Sequence, residues 1–356
     1  MVNHELAIGI DLGTTNSAIA VWRNGQAEII PNSQGKYLTP SVVSMDDNEQ
    51  LLVGDAAYSR LITNPHQTVS AFKRFLGTEK CYLLGEQQYT PVELCALVLK
   101  SLKADAEVYL EQSIRNVVIA VPSYFNDQQR EEIHRAAVLA DLYVVRLINE
   151  PVAACLAYSL HLTHEHRFLV FDLGGGTFDV TVVGLQRGTL EVLAATGDHR
   201  LGGDDFTAAL SVFVMNQLTL NSETVPLADL SKIFQVCEQA KQHFSTETKI
   251  ILPAPWNQEI VVTEAELEQI WQGLLRRLAL SVKQVLFDAH LESKDIDELI
   301  FVGGATRLRE VYQMVIRQVG RFGRIAWDPD LVIAMGAAVV SSGMTVQTIV
   351  GHSLQV

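Results

Sequence analysis

An α/β protein built from two similar lobes is the fold class this sequence predicts, on three observations. Strand-like apolar runs alternate with amphipathic helical stretches along all 356 residues, the pattern of sheets covered by helices. A strand-turn-strand segment, IGIDLGTTNSAIAVW from Ile8 to Trp22, recurs as LVFDLGGGTFDVTVV from Leu169 to Val183, with Asp11 and Asp172 opening matching D-L-G turns. Two further pairs keep the same order: VVIAVPSYF (Val117 to Phe125) with LIFVGGATR (Leu299 to Arg307), and the small-residue helices EPVAACLAY from Glu150 and MGAAVVSSG around Gly336.

The repeats set the expected boundaries. Residues 1–164 form lobe I with a subdomain inserted at about 41–105, and residues 165–327 form lobe II with one at about 204–275. Residues 328–346 carry a helix returning to lobe I, and 347–356 begin a linker. From Leu331 to Val356 there is no charged residue, but Ser341, Ser342, Gly343, Thr345, Gln347 and Thr348 interrupt the apolar run. That is too broken for a membrane span and reads as a buried helix followed by a loosely packed tail.

Hydrophobic residues at 48% and charged ones at 19% exclude a disordered chain. With 27 Lys and Arg against 41 Asp and Glu, the net charge of −14 opposes long-range attraction to nucleic acid or an anionic membrane, so any phosphate must be held locally. The four cysteines, Cys81, Cys95, Cys155 and Cys237, show no metal or redox spacing, and the N-terminus lacks a basic leader. Both point to a reducing, cytoplasmic setting.

Asn126 with Gln129 and Thr263 with Glu266 read as capping boxes opening two helices. A third helix, about Leu230 to Phe244, carries Glu238, Lys241 and Ser245 as a polar stripe, which in isolation would be an ordinary solvated face.

The chemistry is read from the turns. A D-x-G-[TG]-[TG] turn between strands puts a carboxylate at a strand end and lets backbone N–H groups and hydroxyls approach phosphate oxygens closely. Asp11, Gly13, Thr14 and Thr15 make one such turn; Asp172, Gly174, Gly175, Gly176 and Thr177 make the other. Either alone is ordinary hairpin chemistry. Two in matching places of duplicated lobes suit a cleft clamping a triphosphate and a hydrated Mg²⁺, which keeps most of its waters. Gly202 and Gly203 precede an apolar helix and read as an anion site at its N-terminus. Gly303 and Gly304 let a flat base lie against backbone, and Arg307 is spaced to stack on it.

Taken together, IGIDLGTTNS, FKRFLG, VPSYFNDQQR, INEPVAA, VFDLGGGTFDV, LGGDDF, the E-x-x-K-x-x-x-S stripe and FVGGATR resemble, in order, the nucleotide-binding domain of the seventy-kilodalton heat-shock chaperones of the DnaK type. The resemblance spans essentially the whole chain. It implies a duplicated two-lobed actin-like (ribonuclease H-like) ATPase fold with the nucleotide between lobes. The segment from Lys73 to Pro91 is shorter than in DnaK, and ELAIGIDLGTTNSAIAVW with EIIPNSQGKYLTPSVVSMD is similar to the HscC-like bacterial members.

The resemblance also implies roles. Asp11 and Asp172 would organise the waters of Mg²⁺, with K⁺ as a further ion, and Lys73 would sit by the γ-phosphate of ATP, its ring completed by Glu150 and Asp179. Thr14, Thr15, Asn16 and Thr177 would contact phosphates alongside Gly13, Gly174, Gly175, Gly176, Gly202 and Gly203. Glu238, Lys241 and Ser245 would meet ribose and adenine edge, with Gly303, Gly304, Arg307 and Asp330 about the base. Gln242 stands where many members carry a charge over the adenine. Pro122 and Arg130 match positions relaying nucleotide state, and Arg146 one used in docking a J-domain co-chaperone; a nucleotide exchange factor is the other partner implied. The family's peptide-binding domain is not expected within these residues. A filament-forming protein of the same fold and a sugar kinase are the alternatives; the kinase lacks an identifiable catalytic Asp and hydroxyl-rich pocket.

Overall fold

Two six-stranded sheets repeat one strand order. The computed structural model describes residues 6–159, 164–220, 225–243, 247–324, 327–342 and 347–350. In the first sheet, β1 (Ala7–Asp11), β2 (Asn16–Arg23), β3 (Gln26–Ile29), β4 (Asn116–Val121) and β5 (Tyr143–Asn149) run in the order β3-β2-β1-β4-β5, and Thr39–Pro40 also pairs with β2. In the second, β6 (His166–Leu173), β7 (Phe178–Gln186), β8 (Thr189–Asp198), β9 (Glu298–Val302) and β10 (Gly323–Arg324) run β8-β7-β6-β9-β10. In each, the first strand pairs antiparallel with the second and parallel with the fourth. The internal repeat of the sequence is therefore a repeat of topology. The chain belongs to the mixed α/β class, with helices on the sheets.

The second sheet has one strand that the sequence reading did not anticipate. β11 (Gln347–Val350) adds in parallel to the outer edge of β8, with Thr189 opposite Gln347 and Val192 opposite Val350. This corrects the expectation of a loose tail over these four residues. An open strand edge presents a row of unpaired N–H and C=O groups, and the uncharged Q-T-I-V run can satisfy it. Residues 343–346 and 351–356 of the expected tail lie outside the described residues.

Helices α1 (Pro91–Leu110), α2 (Asp127–Leu139) and α3 (Glu150–Ser159) belong to the first half of the chain; α4 (Gly203–Gln217), α5 (Leu227–Gln242), α6 (Glu264–Asp288) and α7 (Arg309–Val319) to the second; α8 (Val332–Ser341) comes last. α2 and α6 open on reciprocal capping boxes, Asn126 with Gln129 and Thr263 with Glu266, as does α1 with Thr90 and Glu93. Within 41–105 lie a three-stranded sheet (Val42–Met45, Leu51–Val53, Thr68–Ser70), a hairpin (Tyr82–Leu84, Gln87–Tyr89) and most of α1. Within 204–275 lie α4, α5, the hairpin Glu247–Leu252 with Gln258–Thr263, and the first half of α6. Trp271 anchors this second group: its indole N–H donates to the Phe206 carbonyl at 2.9 Å, and the two rings meet edge-on. Cys95, Cys155 and Cys237 are buried and Cys81 is exposed, all as free thiols. Among the described residues no helix is long and apolar enough to cross a membrane.

One apolar cluster fills each half of the molecule, and a third joins them. It draws Val118, Ala120 and Ile148 from the first sheet, Phe168, Val170 and Ile300 from the second, and Val152, Cys155 and Ala337 from α3 and α8. α8 follows the second sheet in sequence but packs on β1, β2 and α3. Such contact needs residues without bulk. A Cβ on Gly9 would lie 2.0 Å from the Ala338 nitrogen, and one on Gly336 would lie 1.8 Å from the Ala153 carbonyl oxygen.

Because both neighbours of Gly336 are backbone, they cannot swing aside. Gly336→Ala is expected to lower stability by about 3 kcal/mol or more in denaturant titration. Gly273, mid-helix in α6 with open space around it, is the control: Gly273→Ala should raise stability by about 0.5–1 kcal/mol.

Candidate functional site

A cleft of about 910 Å³ opens between the two sheets, and the two glycine turns face each other across it. The first turn is built by β1 running into β2. Its carbonyls are tied back by Ser41, whose hydroxyl donates to the Gly13 oxygen at 2.8 Å and whose N–H donates to the Thr15 oxygen at 2.8 Å. The second turn joins β6 to β7 and closes on itself, the Gly174 N–H donating to the Thr177 oxygen at 3.0 Å. The turns approach so closely that a Cβ on Gly175 would lie 2.5 Å from the Thr15 hydroxyl oxygen. Two turns from two sheets thus line one wall-to-wall gap.

Beneath them sits a charge cluster. Lys73, on a short 3-10 turn (Phe72–Phe75) entered through Ala71 in the left-handed region (φ 54°), donates to Glu150 at 3.0 Å, with both residues buried. Glu150 opens α3, and the Lys73 ammonium also stands 5.5 Å over the Phe125 ring. Asp11, Asp172 and Asp179 complete the group. Loss of water, reinforced by the Glu150 and Asp330 charges, lifts Asp11 to about 7, against the pull of Lys73. Burial, with Glu150, Asp179 and Asp11 repelling, holds Asp172 well above the ordinary carboxylate range, and burial with Glu150 lifts Asp179 to about 8. Burial works to lower Lys73, but Glu150 and Asp11 outweigh it and the ammonium is held more firmly than usual.

Four carboxyls gather around one ammonium, and a hard divalent cation would favour their ionised forms. Among the described residues no group of three or more His, Cys, Asp and Glu is gathered to ligate an ion directly. Asp11 and Asp172, carboxyls at the ends of the two first strands, fit a hydrated divalent cation, which needs only one or two carboxylates near it.

The cleft also gathers the far-side residues. Gly303 takes φ 81°, and a Cβ there would fall 2.4 Å from the Leu173 oxygen, so this crossing of backbone requires glycine. Arg307 is clamped by Asp328 at 2.5 Å and Asp330 at 3.0 Å, leaving its guanidinium plane at the cleft edge. On α5, Lys241 pairs with Glu238 at 2.6 Å and donates to the Gly203 oxygen at 2.8 Å, while Gln242 donates to Glu238 at 2.9 Å. α5 spans 227–242 rather than 230–244, and Ser245 lies outside the described residues.

Of the sequence-predicted set, Asp11, Gly13, Thr14, Thr15, Asn16, Lys73, Glu150, Asp172, Gly174, Gly175, Thr177, Gly203, Glu238, Lys241, Gly303, Gly304, Arg307 and Asp330 line the cleft. Gly176 and Gly202 are not among its lining residues, and Asp179 sits behind it in a second cavity of about 10 Å³ with Ser123 and Thr181. The expected open anion site at α4 is corrected. The Gly202 N–H is taken by Asp205 at 2.8 Å, and those of Gly203 and Asp204 by the Gly174 and Gly175 oxygens at 2.9 and 2.7 Å. These residues brace the second turn from behind; a Cβ on Gly202 would strike that turn's backbone at 2.5 Å. Arg130 donates to the Phe125 oxygen and to Asn149, each at 3.0 Å, and Arg146 lies on the exposed side of β5.

Tyr124, Asp204, Ser41 and Tyr58 are the residues sequence reasoning left unassigned. Tyr124 lines the cleft, its hydroxyl held protonated by burial and by Asp179, Glu150 and Asp172. Burial lifts Asp204 to about 6 although Lys241 opposes it. Both stand inside quoted motifs, VPSYF and LGGDDF, but nothing local marks which side chain will face the cleft.

A family model described as Hsp70 protein matches residues 7–82 and 80–350. The chain therefore belongs to the Hsp70 family, whose members are ATP-binding chaperones and ATPases.

Asp179 gives a test with a definite sign. A carboxyl lifted in the folded state costs stability once pH exceeds its ordinary value of 3.8, and the cost is complete above about 8. Asp179→Asn, measured without Mg²⁺ or nucleotide, should therefore be more stable than the parent at pH 7 by on the order of 1–2 kcal/mol. The gain should vanish as pH approaches 4, where both chains carry a neutral group.

Proposed function

We propose that this chain binds ATP with Mg²⁺ in the interlobe cleft, hydrolyses it slowly, and reports nucleotide state to a peptide-binding domain outside these residues. The observation carrying this reading is the buried Lys73–Glu150 pair set among Asp11, Asp172 and Asp179 directly below two facing glycine turns. Asp11 and Asp172 would hold Mg²⁺ through its waters, where the ion offsets phosphate charge. Thr14, Thr15, Asn16 and Thr177 would take phosphate oxygens with the turn backbones, Gly13 and Gly174 to Gly176. Gly202 and Gly203 support the second turn. The adenosine would lie between Glu238 and Lys241 of α5 and the backbone of Gly303 and Gly304, with Ser245, which follows α5 in sequence, at its ribose or adenine edge and its base against the Arg307 guanidinium that Asp328 and Asp330 fix.

In hydrolysis a bond forms between a water oxygen and the γ-phosphorus as the bond to the bridging oxygen breaks. Lys73 is placed to orient that water and to offset charge on the transferring group, the positioning and electrostatic work on which phosphoryl transfer depends. Glu150 and Asp179 would complete the polar ring around that water.

Lobe bounds at 1–164 and 165–327, K⁺ beside Mg²⁺, an HscC-like subtype and a cytoplasmic setting belong to the same reading. So do a J-domain co-chaperone docking near Arg146 and an exchange factor of altered specificity, given the short segment after Lys73.

Lys73→Ala should bind MgATP nearly as tightly as the parent and hydrolyse it roughly 10²-fold or more slowly, because the ammonium is assigned to the transition state. Single-turnover hydrolysis measures this, and equal rates would remove Lys73 from the mechanism. MgADP should raise the melting temperature by bridging the two turns, and EDTA should erase most of the rise. A shift of equal size without metal would place the nucleotide away from the carboxyl cluster.

A further inference from the structure

The loop that follows β8 carries His199, which neither the phosphate turns nor the charge cluster uses. Its ring lies 4.0 Å, centroid to centroid, from that of Tyr124, tilted by 46°. The two rings come from loops of different sheets. Tyr124 follows β4 of the first sheet, and His199 follows β8 of the second. No other ring contact among the described residues links the VPSYF loop to the second sheet.

The stack continues inward. Tyr124 meets Phe125 edge-on at 5.5 Å, and Phe125 is the ring over which the Lys73 ammonium stands at 5.5 Å. The loop is held at its base by Arg130, whose guanidinium donates to the Phe125 oxygen at 3.0 Å. The His199 side is also stiff. Asp198 accepts from Arg277 at 2.5 Å and from the Arg200 N–H at 3.0 Å, and the Leu201 N–H donates to the Asp198 oxygen. Stacking takes part of the water from the His199 ring, and this lowers its proton affinity against the pull of Asp198, which favours a neutral ring at neutral pH. The contact is then a stacking of two neutral rings, a geometry in which aromatic pairs gain energy beyond the area they cover.

We propose that His199 is a positioning residue for hydrolysis: stacked on Tyr124 between the two lobes, it fixes the Tyr124–Phe125 loop and thereby the aromatic seat of Lys73. Opening the lobes parts the two rings and frees the seat. Lobe closure and the placement of the ammonium are in this way one event, carried by contiguous packed side chains. The inference rests on the reading that Lys73 orients the attacking water.

The test compares the whole chain with His199→Ala, His199→Phe and Lys73→Ala, measuring MgATP affinity by titration and hydrolysis by single turnover. His199 is exposed, so neither substitution disturbs a core. His199→Ala is expected to slow hydrolysis roughly two- to tenfold, the rate equivalent of an aromatic pair, with affinity changed less than about twofold. His199→Phe, which keeps a neutral ring, should recover most of the parent rate. Unchanged hydrolysis in His199→Ala, no recovery in His199→Phe, or equal losses of affinity and rate would each overturn the proposal. If Lys73→Ala hydrolyses as fast as the parent, the underlying reading of the site has failed; if it is slow, the His199 results judge this inference alone.

Discussion

Crowding of negative charge around one ammonium is the constraint on which the rest of this structure depends. Asp11, Asp172, Asp179 and Glu150 come from four different elements and converge on Lys73. Burial first, and the neighbouring carboxyls after it, lift the proton affinities of the three aspartates. They are held by the apolar cluster below, where Ile148 and Val152 bracket Glu150 in sequence and Val170 and Leu173 flank Asp172. Core packing is thus spent on keeping an unfavourable charge set in place, a pattern expected where a bound ligand supplies the missing counter-charge.

The same cluster explains why the cleft has walls that face one another. α8 leaves the second sheet and lies against the first at separations that only Gly9 and Gly336 permit. A larger residue at either would push the helix off the sheet and rotate one turn relative to the other. The glycines of the turns and the glycines packed at α8 therefore serve one purpose at two distances. The former let a ligand approach backbone; the latter let backbone approach backbone.

What the sequence made legible follows from how each feature is encoded. The aspartates at strand ends and the glycine turns are local patterns, and their repetition at matching places separated them from ordinary hairpins. Capping boxes at Asn126 and Thr263 are likewise local, and the structure contains both. Lys73 was legible only through resemblance, since its importance lies in a contact with Glu150 that sequence spacing does not reveal. Ser41 and Tyr124 were not legible for the same reason: each acts across a fold-dependent gap, one on the Gly13 and Thr15 carbonyls and one beside His199. At Gly202 and Gly203 the local pattern misled. A glycine pair before a helix can cradle an anion or admit a neighbouring turn, and the Gly174 and Gly175 carbonyls, unseen in the sequence, decide for the second. The strand at Gln347–Val350 escaped because four residues without alternation carry no periodic signal; the open edge of β8 supplies the order.

The two halves also differ at one matched position. Asp11 pairs across its turn with Ala18, whereas Asp172 pairs in the equivalent register with Asp179. Ala18 is buried with Ala20 against Ala334 and Ala338 of α8, where a carboxyl would meet only apolar side chains and backbone already committed to a helix. Asp179 borders a small cavity shared with Glu150, Ser123 and Thr181, where Ser123 offers a buried hydroxyl without a partner. The returning helix therefore excludes a second acid from the first half and leaves it to the other. Symmetry of backbone with asymmetry of this one position gives the second turn a carboxyl that the first turn lacks.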